Sequence, residues 1–178
     1  MIFKFNHKFN KISNILYDIM YIEQSDKMPK YNYMIISKTS HIFNKICRYC
    51  DKEIVEENLV INGGTLNYSG IVNDSDIMIV CFDKMKPIAF NSLVELDDCL
   101  YVYQIAVKKS YKNQGIGTNL MQKAIAIANH KKKAVSAHVR DYNEESNHLF
   151  QKLGFTAIDP GTNTLYVLNT LNREKGKK

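Results

Sequence analysis

Lys112, Gly115 and Gly117 stand in the run KKSYKNQGIGT, directly after the apolar stretch LYVYQIAV and directly before NLMQKAIAIANH. A buried strand, a basic turn with two glycines and an amphipathic helix, in that order, leave unpaired backbone N–H groups at a helix N-terminus. Those donors and the helix dipole together favour an anion. Two absences narrow which anion. The third glycine of a dinucleotide fingerprint is replaced by Leu120, and no GKS or GKT follows to form a nucleotide-triphosphate loop. The structural alternative is a turn that merely joins strand to helix.

The other chemistry-bearing cluster is Cys47 and Cys50, a lone CxxC with His41 upstream. A zinc site needs more ligands at suitable spacing. Both thiols also fall on the apolar side of a helical pattern, so buried thiols are expected and no metal is implied. The four cysteines, with no export signal in view, argue for reduced thiols rather than bridges.

The elements that would position these residues can be taken in order. Phe9, Ile12, Leu16, Ile19 and Met20 recur at helical spacing over Phe9 to Ile22, and Tyr31 to Ser37 has strand composition. Ser40 suits the N-cap of a second helix with Ile42, Ile46, Cys47, Cys50 and Ile54 inward. The segment from Glu56 to Asp76 is the least legible, apart from an Asn62-Gly63-Gly64 hairpin turn. IMIVCF, IAFNSLVEL and LYVYQIAV, joined by turns at Asp83 to Pro87 and Asp97-Asp98, predict a three-strand antiparallel meander. The last of these strands is apolar on both faces, as a central strand would be.

Leu120, Met121, Ala124, Ile125 and Ala128 predict the buried face of a helix from Gly117 to about His130. Lys131 to Lys133 follow where cations offset the carbonyl end of the dipole. AVSAHV (Ala134 to Val139), reached by a strand-helix crossover, should lie parallel to the central strand. Asp141 and Glu144 have capping-box spacing for a helix through Leu153, with Gly154 as its stop. Phe155 to Ile158 and Leu165 to Leu168 predict a closing hairpin around Asp159-Pro160-Gly161.

Composition sets the frame: 178 residues, 45% hydrophobic and 24% charged, fit one domain without a Pro/Gly/Ser-rich linker. No apolar run approaches the roughly 20 residues of a membrane span. With no secretory pattern in Met1 to Phe9, the cytoplasm is the expected location. The net charge is +6, and Arg173 to Lys178, with four basic and one acidic side chain, supplies half of it. That tail is expected to be solvated rather than a nucleic-acid contact.

The run IAVKKSYKNQGIGTNLM resembles the acyl-CoA-binding motif of the GNAT superfamily of N-acetyltransferases: Arg or Gln, two residues, Gly, one residue, then Gly or Ala. Lys112 takes the Arg/Gln position, and Gly115 and Gly117 are the two glycines. A second block, VRDYNEESNHLFQKLGF, is similar to the family's next motif through Asn143, Leu149, Gly154 and Phe155. The resemblance covers about Ile77 to Leu168.

It implies a single α/β domain over residues 1–172, with a mixed, mostly antiparallel sheet splayed between two central parallel strands and flanked by helices. Residues 77–168 would form the acyl-CoA-binding core, 1–75 the acceptor side and 173–178 the basic tail. The partners it implies are acetyl-CoA and a primary amine acceptor, with no nucleic acid, membrane or metal. The pyrophosphate would bind the backbone amides of Asn113, Gln114, Gly115, Ile116, Gly117 and Thr118, with Lys112 as a point charge. Pantetheine would run along the central strand near Ile105 and Val107, where the Ile105 amide would polarise the thioester carbonyl.

Asn143 is either a helix cap or a cofactor contact. Phe150 is the departure: many relatives place a tyrosine there to protonate the leaving thiolate. A thiol of pKa about 8.5 is a tolerable leaving group, so that loss need not abolish transfer. A lysine-type amine costs roughly 4 to 5 kcal/mol to deprotonate at pH 7, and an α-amine about 1 to 2, so the need for a base depends on the acceptor. His138 stands where some relatives carry a catalytic glutamate, and imidazole suits general-base work; a structural strand histidine is its alternative. Glu95, Tyr101 and Tyr103 are weaker candidates. The implied reaction is direct acetyl transfer from acetyl-CoA to the amine, and the alternative is a non-catalytic acyl-CoA-binding module.

Overall fold

The computed structural model describes residues 30–56 and 75–170. The expected helix from Phe9 to Ile22, the Asn62-Gly63-Gly64 hairpin and the tail at 173–178 lie outside them. Seven strands form one sheet: β1 (Asn32–Ser37), β2 (Ile77–Asp83), β3 (Lys86–Glu95), β4 (Cys99–Val107), β5 (Ala134–Arg140), β6 (Thr156–Asp159) and β7 (Asn163–Leu168). Their spatial order is β1-β2-β3-β4-β5-β7-β6. Every neighbouring pair is antiparallel except β4 with β5, which is parallel.

That parallel pair is short. Its register runs only from Cys99↔Ala134 to Tyr101↔Ser136, after which the strands part. β4 is therefore not buried on both faces as its composition suggests. Leu100 and Val102 are buried, but Gln104 to Val107 are only half-buried and Tyr103 is exposed. The apolar side chains of this open half border a cleft.

Helix α1 (Phe43–Cys50) continues into a π-helical turn at Asp51–Val55. Ile42, not Ser40, is the residue before the helix, and it makes no side-chain cap bond. Phe43, Cys47, Cys50, Ile54 and Val55 form the buried side against Ile36, Met78, Val80 and Phe90, while Ile42 and Ile46 are only partly buried beside them. Burial pushes the Cys47 thiol up to about 12 and also raises Cys50. Both are core thiols without thiolate character.

Helix α2 (Ile116–Lys131) packs on β2 to β5. Its Met121 Sδ receives a 3.4 Å hydrogen bond from Asn91, which pairs with Ile79. Ile79 alternates with Met78 and Val80, so α2 covers the opposite face from α1. Helix α3 (Glu144–Lys152) is capped by Asn143, whose Oδ1 accepts from Ser146 N–H at 3.2 Å. The expected Asp141 cap fails because β5 runs on to Arg140. Asp141 is instead fastened to the hairpin, its N–H to Thr162 O at 3.3 Å and its Oδ1 to Thr164 Oγ1 at 3.1 Å.

Candidate active site

Where β4 and β5 separate, a cleft of about 1050 Å³ opens. One wall is β4 from Val102 to Val107, the other β5 from Ala137 to Arg140. The glycine turn and the start of α2 close one end, and α3 lies along the side. Ile105, Val107, Lys112, Asn113, Gly115, Ile116, Gly117, Thr118, His138, Asn143 and Phe150, which sequence singled out, all line it. Gln114 does not. Its Oε1 accepts from Tyr31 OH at 2.6 Å, so its side chain ties the turn to the residue just before β1.

The turn is held from several directions. Tyr111 ends a short 3₁₀ turn, stacks edge-on with Tyr31, and donates to Asp83 Oδ2 at 2.8 Å; that bond raises its phenol above the ordinary range. Asn113 and Gly115 take left-handed angles, φ 61° and 75°. Asparagine tolerates this region and glycine enters it freely. The ladder of α2 begins with Asn119 N–H to Gly115 O at 3.0 Å, so the N–H groups of Ile116, Gly117 and Thr118 precede it. Asn119 Nδ2 also bonds Tyr33 OH at 3.3 Å, tying this helix end to β1.

Gly117 is the informative residue. It has no left-handed angle, and a Cβ built on it would meet only Leu149 Cδ2 at 3.7 Å, an ordinary contact. Glycine in a helix interior costs about 0.5–1 kcal/mol relative to alanine, and Gly117, the second residue of α2, bears a smaller share of it. Neither the backbone nor the packing of the described residues requires it, so the fold carries that cost without a return in its own contacts. The turn therefore fits a phosphate group: donors at a helix N-terminus, a lysine beside them, and open space where a Cβ would stand.

His138 sits two residues beyond the last β4–β5 pair and lines the cleft. Its Nδ1 lies 3.4 Å from Tyr101 OH, with ring centroids 5.9 Å apart. Phe150 is 2% exposed, edge-on to Phe155 at 4.9 Å and stacked on Tyr166 at 5.5 Å. Asn143 spends its Oδ1 on the α3 cap.

Glu95 is not among the cleft's lining residues. It binds Lys131 at 2.9 Å and Lys133 at 3.1 Å, and the Lys131 hydrogen bond holds its carboxyl below the usual carboxylate range. Its place outside the lining and its two ion pairs fit a structural role, and two of the three helix-end lysines gain a partner.

Sequence reasoning missed Arg140, Tyr142, Glu145, His148 and Lys152, all of which line the cleft. Arg140 Nη1 donates to Tyr142 OH, and Lys112 Nζ binds Glu145 Oε2 at 2.8 Å. The available signal was Glu145, His148, Leu149 and Lys152 on one helical face, but that face is mostly polar and looks like an ordinary solvated surface.

Solved structures share this architecture. The PaiA N-acetyltransferase from Thermoplasma acidophilum, in complex with coenzyme A, has a TM-score of 0.63 at 15% identity, covering 79% of this chain and 99% of that one. A GNAT family acetyltransferase from Elizabethkingia anophelis with acetyl-CoA bound has a TM-score of 0.57 at 16% identity, with coverage of 80% and 99%. The ribosomal-protein-S18-alanine N-acetyltransferase from Escherichia coli has a TM-score of 0.54 at 18% identity, with coverage of 77% and 93%. The forked sheet is thus the GNAT acetyltransferase fold. The model of the Acetyltransferase (GNAT) family matches residues 41–155, and the chain belongs to that family. No curated protein matches it in sequence.

Proposed function

We propose that the protein is an N-acetyltransferase that moves the acetyl group of acetyl-CoA to a primary amine by direct attack. Gly117 carries the reading, because the described fold gives no reason of its own for a glycine there and a phosphate at the α2 N-terminus does. The solved relatives with coenzyme A or acetyl-CoA bound support the choice of donor.

In this reading the N–H groups from Asn113 to Thr118 and the Lys112 ammonium hold the pyrophosphate. Pantetheine lies along β4 beside Ile105 and Val107, with the Ile105 amide on the thioester oxygen. His138, at the fork, takes the proton from the amine as it attacks. The carbonyl carbon gains the C–N bond, the tetrahedral intermediate collapses, and the C–S bond breaks to release the CoA thiolate. Phe150 has no proton to give, so the thiolate leaves as such or is protonated by water or another group.

Phe150 also favours the second reading, a non-catalytic acyl-CoA-binding module. Its ring is buried among Phe155 and Tyr166, in a packing role rather than an acid's. Incubation with acetyl-CoA and a panel of amines and peptides separates the two readings. Thiol release that depends on the amine, with a product heavier by one acetyl group, supports the enzyme. Tight CoA binding with no release from any acceptor supports the module.

A further inference from the structure

Lys112 on the glycine turn and Glu145 in the first turn of α3 meet across the cleft, Nζ to Oε2, at 2.8 Å. Both line the cleft, and their side chains are 32% and 75% exposed. An ion pair this accessible is weak and exchanges readily for a better partner. Among the described lining residues Glu145 is the only carboxylate, against Lys112, Arg140 and Lys152 as cations. The cleft is otherwise built for an anion, and its one negative charge sits on the lysine next to the anion-binding turn.

We infer that Glu145 competes with the CoA pyrophosphate for Lys112 and so lowers the affinity of the cleft for CoA, an inference that rests on the donor reading above. Lys112 carries one positive charge. A phosphate that takes it leaves Glu145 uncompensated beside a second negative group, and like charges in one mouth repel. The pyrophosphate is common to acetyl-CoA and CoA, so the carboxylate weakens both and hastens departure of the product. Glu145 touches neither reacting atom; it acts through Lys112 as a positioning residue.

Calorimetric titration of CoA into the full chain tests this, with wild type, Glu145→Gln, Lys112→Met and the double variant at low and high salt. Glu145→Gln should tighten Kd about three- to fivefold at low salt. The gain should fade at high salt and shrink when Lys112 is methionine. Unchanged or weaker binding by Glu145→Gln overturns the inference, as does an equal gain in the Lys112→Met background, where Glu145 would be acting without the lysine. Failure of the wild type to bind CoA at all is a different result and overturns the donor reading itself.

Discussion

At one end, β4 and β5 are bound together from Cys99 to Tyr101, and their surroundings add to the grip. Cys99 Sγ meets Ser136 Oγ at 3.3 Å, Ala134 N–H bonds Asp98 O at 3.1 Å, and Thr170 Oγ1 bonds Lys133 O at 2.6 Å. Glu95 joins the end of β3 to Lys131, the last residue of α2, and to Lys133 just past it. At the other end the same two strands separate, and their half-buried apolar residues face a cleft bounded by the glycine turn and α3. The closed end puts its side chains into stability; the open end keeps Gly117, at a cost to stability, and exposes groups suited to a ligand.

Substitutions at the two ends should therefore separate folding from binding. Leu100→Ala, at a fully buried closed-end site, should cost about 2–5 kcal/mol by denaturant unfolding. Ile105→Ala, half-buried at the open end, should cost clearly less. Equal losses would erase the distinction between the ends.

His138→Ala should lower turnover about 100-fold or more while CoA affinity and unfolding temperature hold. An unaltered rate would remove it as base and return it to a structural role.

Gly117→Ala should weaken CoA binding about tenfold or more and yet leave the fold as stable or more so, by no more than about 0.5 kcal/mol at this second helical position, since the new methyl meets only Leu149. Calorimetry and thermal unfolding read the two effects separately. Unchanged affinity would leave the glycine without its ligand explanation.

The smallest effect belongs to Glu95→Gln, about 1 kcal/mol or less for an accessible ion-pair network. Because Lys131 depresses the folded carboxyl, this stability is present above the unfolded value of about 4.3 and is lost as pH falls through the lower folded value. Wild type and variant should converge in acid; a gap that persists there would show a different origin.

What the sequence made legible follows from the range of the interactions involved. The meander, α2 and β5 are set by local periodicity, and all appear where the pattern places them. Ser40 and Asp141 looked like caps by spacing, but a cap depends on where the preceding element ends. β5 continues to Arg140, so the role passes to Asn143. The π-helical turn adds Val55 to the buried side of α1, which an α-helical period does not anticipate. The half-buried state of β4 needs the divergence of a strand beyond residue 130, and the Lys112–Glu145 pair spans 33 positions. The partners of Glu95 were equally out of reach of local pattern, because its lysines stand at the last residue of α2 and two residues beyond it.

The central claim is that the open end is the donor site, and hydrogen exchange with and without CoA measures it residue by residue. The account predicts that CoA slows exchange of the amides from Asn113 to Thr118 and along Val102 to Val107, while Cys99 to Tyr101 and Ala134 to Ser136 do not change. Unchanged exchange in the glycine turn at saturating CoA would contradict it.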